Sequence, residues 1–355
     1  MAATFPPPRW AVPGLIPEGL TILAGAPKLG KSWLSLAVCL DVANGTPVLG
    51  GIDADPGRTL YAALEDTPRR LQGRLHTMGA LDVPEGFTTI TELPTIPHAT
   101  DLLDEHVAEY PDTRLVVLDV MAKVRPMTAA GQDRYEADYR VMGALKAFAD
   151  RHGVAVIAVT HTRKMADSDV FNTVSGSTGL TGSADTTIVL HRPRGETDAI
   201  LSVTGRDVFE AEYAVRFDTT TGRWNLVGDS LADAADAAAT AKATAGIGDR
   251  SAEILAYVAK HPDGVKPKEV AEALDYPEAR RYLARLAEQE RITKDGRGVY
   301  KPLSQVSQCP NDKPLNWDKG TDGTPLTEGT TCTSCGEPLS YDDGTGLHPS
   351  CAEGW

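Results

Sequence analysis

The sequence predicts an α/β fold: a core built on a mostly parallel sheet, then a winged helix-turn-helix, then a small metal-binding tail. Three observations carry this. From residue 19 to about 228, short apolar runs alternate with helical stretches, at the spacing of βαβ units. Residues 250–302 change to three short helices and a hairpin, the order of a winged helix. The last residues crowd three cysteines beside a histidine, a metal-ligand pattern. The expected boundaries are 1–228 for the core, 229–248 for a linker, 249–303 for the winged helix, 304–330 for a second linker and 331–355 for the tail.

Residues 1–18 are Pro-rich and are expected to wrap onto the core. The runs GLTILAG (19–25), RTLYAALED (58–66), TRLVVLDV (113–120), GVAVIAVTH (153–161) and DTTIVLHR (185–192) are the expected core strands, and long crossovers between the first four suit a parallel sheet. AILSVTGRD (199–207), EYAVRFD (212–218) and RWNLVG (223–228) lie close together and extend the sheet as antiparallel strands. The Ala-rich LADAADAAATAKATAGIGD that follows reads as a helical or flexible linker without a core face. SAEILAYVAKHP, KPKEVAEAL and PEARRYLARLAEQE are three helices, the third with Arg280, Arg281 and Arg285; RITKDGRGVYK folds back as a wing with Lys294 and Arg297.

A length of 355 residues suits two or three domains. No apolar run is long enough to span a bilayer, and MAATFPPPRW lacks an apolar signal core, so a cytoplasmic location is expected. The net charge of −14 argues against a coat of basic nucleic-acid-binding surface, while leaving room for a few local basic loops. Five cysteines in such a chain are poor disulfide candidates.

Gly25-Ala26-Pro27-Lys28-Leu29-Gly30-Lys31-Ser32 spells G-x-x-x-x-G-K-S between an apolar strand and an amphipathic helix of about 31–44 that opens on Lys31, Ser32 and Trp33. Glycine permits the tight wrap that turns backbone N–H groups inward onto phosphates, and the helix adds its positive end. Lys31 reaches β- and γ-phosphates, and the Ser32 hydroxyl holds Mg²⁺. ATP and Mg²⁺ are the expected ligands.

Phosphoryl chemistry needs further groups, and in open α/β sheets these gather at the carboxyl ends of strands. LVVLD ends in Asp119, expected to hold Mg²⁺ through a water; capping a turn is the plain alternative. YAALED ends in Glu65 and Asp66, and Glu65 is the expected general base; an exposed loop acid is its alternative. His161 ends a third strand and is placed to sense the γ-phosphate, with Arg163 and Lys164 following it towards DNA. The Ser/Thr/Gly-rich stretch 165–182 joins two core strands, a length that is costly unless it has a task. Arg206 follows an apolar strand near an expected subunit edge, where it can supply charge across an interface; a surface ion pair with Asp207 is its alternative.

Cys332, Cys335, His348 and Cys351 give C-x2-C-x12-H-x2-C, two knuckles with the S/N set of a tetrahedral structural Zn²⁺ site. Cys309 is a spare, and Cys39 is expected to be core packing.

The order GLTILAGAPKLGKSWLSLAV, LYAALED, RLVVLD, VIAVTHTRK, SGSTGLTGSADTTIVLHR and SVTGRDVFEAEYAVRFD, over about 10–228, resembles the RepA-like, AAA_25-type RecA-fold ATPases, relatives of the replicative DnaB helicases of plasmids, phages and actinobacterial mobile elements. The resemblance implies a RecA-like P-loop core, a homo-oligomeric ring (often a hexamer) with ATP between subunits, movement on single-stranded DNA, and a primase or replication-initiation partner. It makes Glu65 the catalytic glutamate, His161 the sensor and Arg206 the finger. One departure is Thr204, where the helicase relatives carry a basic residue two before the finger. Three functions stay open at this point: a helicase-type DNA-dependent ATPase, a recombinase-like or regulatory ATPase without processive unwinding, and a small-molecule kinase. Against the last stand the appended modules and the lack of a visible lid or acceptor site. The winged helix serves DNA or a protein partner equally well on its balanced charge.

Overall fold

The computed structural model describes residues 7–126, 134–163, 169–174, 182–192, 198–244, 249–289, 291–296 and 298–302. The zinc-tail residues Cys332, Cys335, His348 and Cys351, the DNA candidates Lys164 and Arg297, and the 304–330 linker all lie outside them.

Strands β1 (Trp10–Val12) and β2 (Ile16–Pro17) form a small antiparallel pair. The main sheet has nine strands in the order β11-β10-β9-β8-β3-β7-β6-β4-β5. Its parallel part comprises β3 (Gly19–Gly25), β4 (Arg58–Ala63), β5 (Phe87–Ile90), β6 (Thr113–Asp119), β7 (Ala155–Val159) and β8 (Thr186–His191). Then β9 (Ala199–Gly205), β10 (Ala211–Asp218) and β11 (Arg223–Leu226) run antiparallel to their neighbours. The five expected core strands and three antiparallel strands are present within two or three residues; the fifth, β8, is also parallel, and β5 and the β1–β2 pair are additions.

Both faces of the parallel part are covered, so its strands read as unbroken apolar runs. Along β4 the sides alternate: Tyr61 and Ala63 join the core under α1 (Lys31–Asn44) and α2 (Pro68–Thr77), while Leu60 and Ala62 join the core under α3 (His98–Glu109) and α4 (Arg134–His152). Chain order reverses at β3: the next strand, β4, lies beyond β7 and β6, whereas β8 pairs with β3 on its other side. Such a switch point opens a crevice at the strand ends, and the loop after β3 occupies it.

Helix α5 (Leu231–Thr244) corrects the expectation of a linker without a core face. Ala234 and Ala238 are buried, Ala238 packing with Ile200 of β9 and Ala214 of β10. Helices α6 (Asp249–Ala259), α7 (Pro267–Leu274) and α8 (Ala279–Glu288) surround a separate apolar cluster of Ile254, Val258, Val270, Leu283 and Leu286. Strands β12 (Ile292–Asp295) and β13 (Val299–Pro302) close it as an antiparallel hairpin. Among the described residues no helix is long and apolar enough to cross a membrane.

Candidate nucleotide site

The loop Ala26–Gly30 joins β3 to α1, and two positions in it depend on backbone freedom. Gly30, at the helix N-cap, has φ +108°, a region that L side chains rarely enter. A Cβ on Gly25 would lie 2.6 Å from the Leu190 carbonyl of β8, so only glycine lets these strands approach here. Lys28 also takes a left-handed conformation, φ 65°, and Leu29 donates its N–H back to Ala26 O at 3.4 Å. The N-cap has no side-chain hydrogen bond, which leaves the first N–H groups of α1 for a ligand.

Lys31 is buried and folded back over the loop. Its Nζ donates to Gly25 O at 2.7 Å and Ala26 O at 3.0 Å, and lies 3.2 Å from His161 Nδ1. With Lys31 charged, Nδ1 is the acceptor, which puts the ring proton on Nε2. Burial lowers the Lys31 pKa to about 8, against the opposing pull of Asp119 and Glu65. These carbonyls are a substitute partner that phosphate oxygens would replace.

His161 is held beside the end of β3: Thr160 donates its N–H to Leu23 O (2.9 Å) and Thr162 to Gly25 O (3.2 Å). Asp119 ends β6, 4% exposed, and its Oδ2 accepts from Tyr61 Oη at 2.6 Å. Its Oδ1 is buried and accepts from no described residue. An orphaned buried carboxylate oxygen is costly without a partner, and it fits a Mg²⁺-bound water. Ser32, half-buried on the first turn of α1, has its carbonyl 3.4 Å from the same Tyr61 Oη. Leu64 donates its N–H to Asp119 O at 2.8 Å, so the exposed Glu65 stands one residue beyond, at the adjacent strand end. Asp66 is engaged elsewhere, paired with Arg70 and Arg74, and Arg74 in turn lies over the half-buried Trp33 ring.

Lys31, Ser32, Asp119, Glu65 and His161 thus meet at one end of the sheet. Tyr61 joins them unforeseen; burial and the Asp119 charge hold its phenol protonated, well above its usual pKa. A tyrosine in a strand reads as core, and nothing nearby in sequence points to its partner.

Arg206 is not brought to this site within the chain. Strand β9 runs antiparallel to β8, which places Gly205 beside Thr186 at the opposite end from Leu190. Arg206 pairs with Asp185 at 3.2 Å rather than with Asp207. Arg163 is exposed at the loop end of the sheet, and its N–H donates to Thr173 O at 2.6 Å. Arg280, Arg281 and Arg285 are exposed on α8, whose opposite face buries Ala279, Leu283 and Leu286. Cys39 is buried and free, as expected of core packing. No metal-ligand cluster occurs among the described residues.

The sheet, the glycine loop at its switch point and the strand-end acid form a mostly parallel α/β core with a candidate phosphate-binding loop at the carboxyl ends of its strands. Residues 1–167 match the family model described as an AAA domain. Two solved structures are similar in fold. One is described as an ATPase domain (14% identity, TM-score 0.49, 59% of this chain and 85% of that one). The other is titled "The Structure Of A DnaB-Like Replicative Helicase And Its Interactions With Primase" (14% identity, TM-score 0.49). The second match covers 58% of this chain and 57% of that chain, little more than half of either.

Proposed function

We propose that this protein is an ATP-hydrolysing, DNA-associated motor or switch of the replicative-helicase type. The observation that carries the ATPase reading is the buried Asp119 Oδ1, which has no partner among the described residues, near a lysine that donates to two loop carbonyls and lies beside a histidine. In the nucleotide complex Lys31 neutralises β- and γ-phosphate charge, Ser32 and Asp119 hold Mg²⁺, and Glu65 orients the attacking water. Mg²⁺ offsets charge on the phosphates. His161 gains or loses its Lys31 contact with the state of the γ-phosphate.

DNA enters the reading through the motif order, the exposed Arg163 at the loop end and the three exposed arginines of α8. The three-helix-plus-hairpin module is read as a winged helix. A ring of copies, a hexamer in this reading, would let Arg206 act at a neighbour's site; a primase or initiation partner is the further expectation. Thr204 favours the second reading, a regulatory or recombinase-like switch without processive unwinding. The tail is read as a structural Zn²⁺ site on Cys332, Cys335, His348 and Cys351.

The test measures ATP turnover with and without single-stranded DNA, then strand displacement on a forked duplex. Turnover stimulated several-fold with displacement supports the motor; stimulation alone supports the switch. ATP turnover indifferent to DNA overturns both.

A further inference from the structure

The phosphate loop is held from an unexpected quarter. β11 is the edge strand, four places from β3 in the sheet, yet Trp224 reaches the loop. Its indole N–H donates to Gly30 O at 3.1 Å, and a Cβ on Gly30 would lie 3.1 Å from its ring. The same carbonyl accepts the Leu34 N–H at 3.0 Å, the first helical bond of α1. Two donors therefore fix one carbonyl. The peptide is planar and trans, so fixing Gly30 O also aims the Lys31 N–H, which points the opposite way within the same plane, towards where phosphate oxygens would sit.

The β10–β11 hairpin grips α1 at two more points. Arg223 donates to Asp41 Oδ1 at 2.7 Å in the later part of the helix. Gly222 lies flat on Trp33, where a Cβ would come within 2.3 Å of the ring, and Phe217 meets both Trp33 and Trp224. The first of these is an ion pair with a buried carboxylate and the others are packing; among the three grips the indole N–H is the one that acts on a loop carbonyl.

We propose that Trp224 is a positioning residue of the phosphate loop, through which the β10–β11 hairpin sets nucleotide affinity. The proposal rests on the loop's being the nucleotide site. The test pairs Trp224→Phe, which keeps a ring and loses the N–H, with Phe217→Leu, which loosens the same hairpin and leaves the N–H bond. Binding is read with a fluorescent ATP analogue and Mg²⁺, stability by thermal unfolding. One lost hydrogen bond predicts about 5- to 10-fold weaker binding in Trp224→Phe, while Phe217→Leu stays within about twofold of wild type at equal or greater loss of Tm. Equal weakening in both, or wild-type affinity in Trp224→Phe, overturns the proposal. In nucleotide-free protein, amide exchange across 26–34 should quicken in Trp224→Phe alone. This readout judges the brace even if no nucleotide binds, an outcome that would sink the nucleotide reading by itself. Linkage is reciprocal, so in wild type the Trp224 indole N–H should exchange more slowly with nucleotide bound; an unchanged rate in a protein that binds nucleotide counts against the coupling even if Trp224→Phe fails to fold.

Discussion

Raising the pH should make nucleotide binding take up a proton at Lys31. In the free protein burial lowers this lysine to about 8, because its charge is met by two carbonyls and an imidazole nitrogen rather than by water. Phosphate oxygens favour the charged form, so binding restores the lysine towards its ordinary value of 10.5. The uptake equals the neutral fraction in the free state: about a tenth of a proton at pH 7, about half at pH 8 and about nine tenths at pH 9. Above about pH 8 the affinity should then fall by close to tenfold per pH unit, until the bound-state pKa is reached. The sign for the fold is the companion statement. A depressed lysine binds its proton more readily in the unfolded chain, so the free protein gains stability as pH rises from about 8 to 10.5.

The assay is calorimetric titration with Mg-ATP in two buffers of different ionisation enthalpy at each pH. The terminal phosphate of the nucleotide, with a second pKa of about 6, is ionised above pH 8 and adds little there. Lys31→Arg, charged at every pH used, should bind without the uptake. Absence of uptake at pH 9 in wild type, or equal uptake in Lys31→Arg, would refute the reasoning and with it the folded-back lysine.

Tyr61→Phe removes a charge-assisted bond to Asp119, worth about 1.5–3 kcal/mol. Turnover should fall about tenfold or more and the Mg²⁺ needed for half-maximal rate should rise, with metal-free nucleotide binding unchanged; a wild-type Mg²⁺ titration would reduce Tyr61 to packing. Glu65→Gln should retain ATP and lose turnover, and mixing it with Arg206→Ala subunits should recover hydrolysis at composite sites. No recovery in mixtures shown to co-assemble counts against Arg206 acting across an interface. A chelator should strip one Zn²⁺ per chain, measured by elemental analysis, and expose residues 331–355 to protease while ATP binding persists; a metal-free protein with a protected tail sinks the zinc reading.

What the sequence disclosed was what is local. The P-loop is eight consecutive residues, and each core strand reveals itself as an apolar run, because burial on both faces removes the need for polar residues. β5 escaped notice because Phe87–Ile90 is short, at the sheet edge and only partly buried. The Ala-rich stretch read as faceless because alanine carries little bulk, yet Ala234 and Ala238 are one turn apart and that small size permits close packing on the sheet. Tyr61 and Trp224 were hidden for another reason: their partners lie 58 and 194 residues away. An aromatic on a strand predicts burial, and the direction of its polar hydrogen emerges only when the strands are in register.

Arg206 lies away from the loop site of its own chain, so its proposed role depends on a neighbouring copy. Gly25 is level with Leu190 of β8 and Gly205 with Thr186, so the two lie about 13 Å apart along the strand at 3.3 Å per residue. Its present partner, Asp185, also accepts from Leu20 N–H and Lys146 Nζ, each at 2.9 Å. If Arg206 left, that buried carboxylate would keep two donors. Asp185 is buried, but the arginine side chain is 62% exposed, so solvent screens the pair and weakens it. A neighbouring copy that presented phosphates at this end of the sheet would compete against a weak contact and leave no stranded charge behind. The cost of releasing the Arg206 side chain is therefore modest, which is compatible with the proposed role across an interface, and the mixing experiment with Glu65→Gln subunits decides between that role and a structural ion pair.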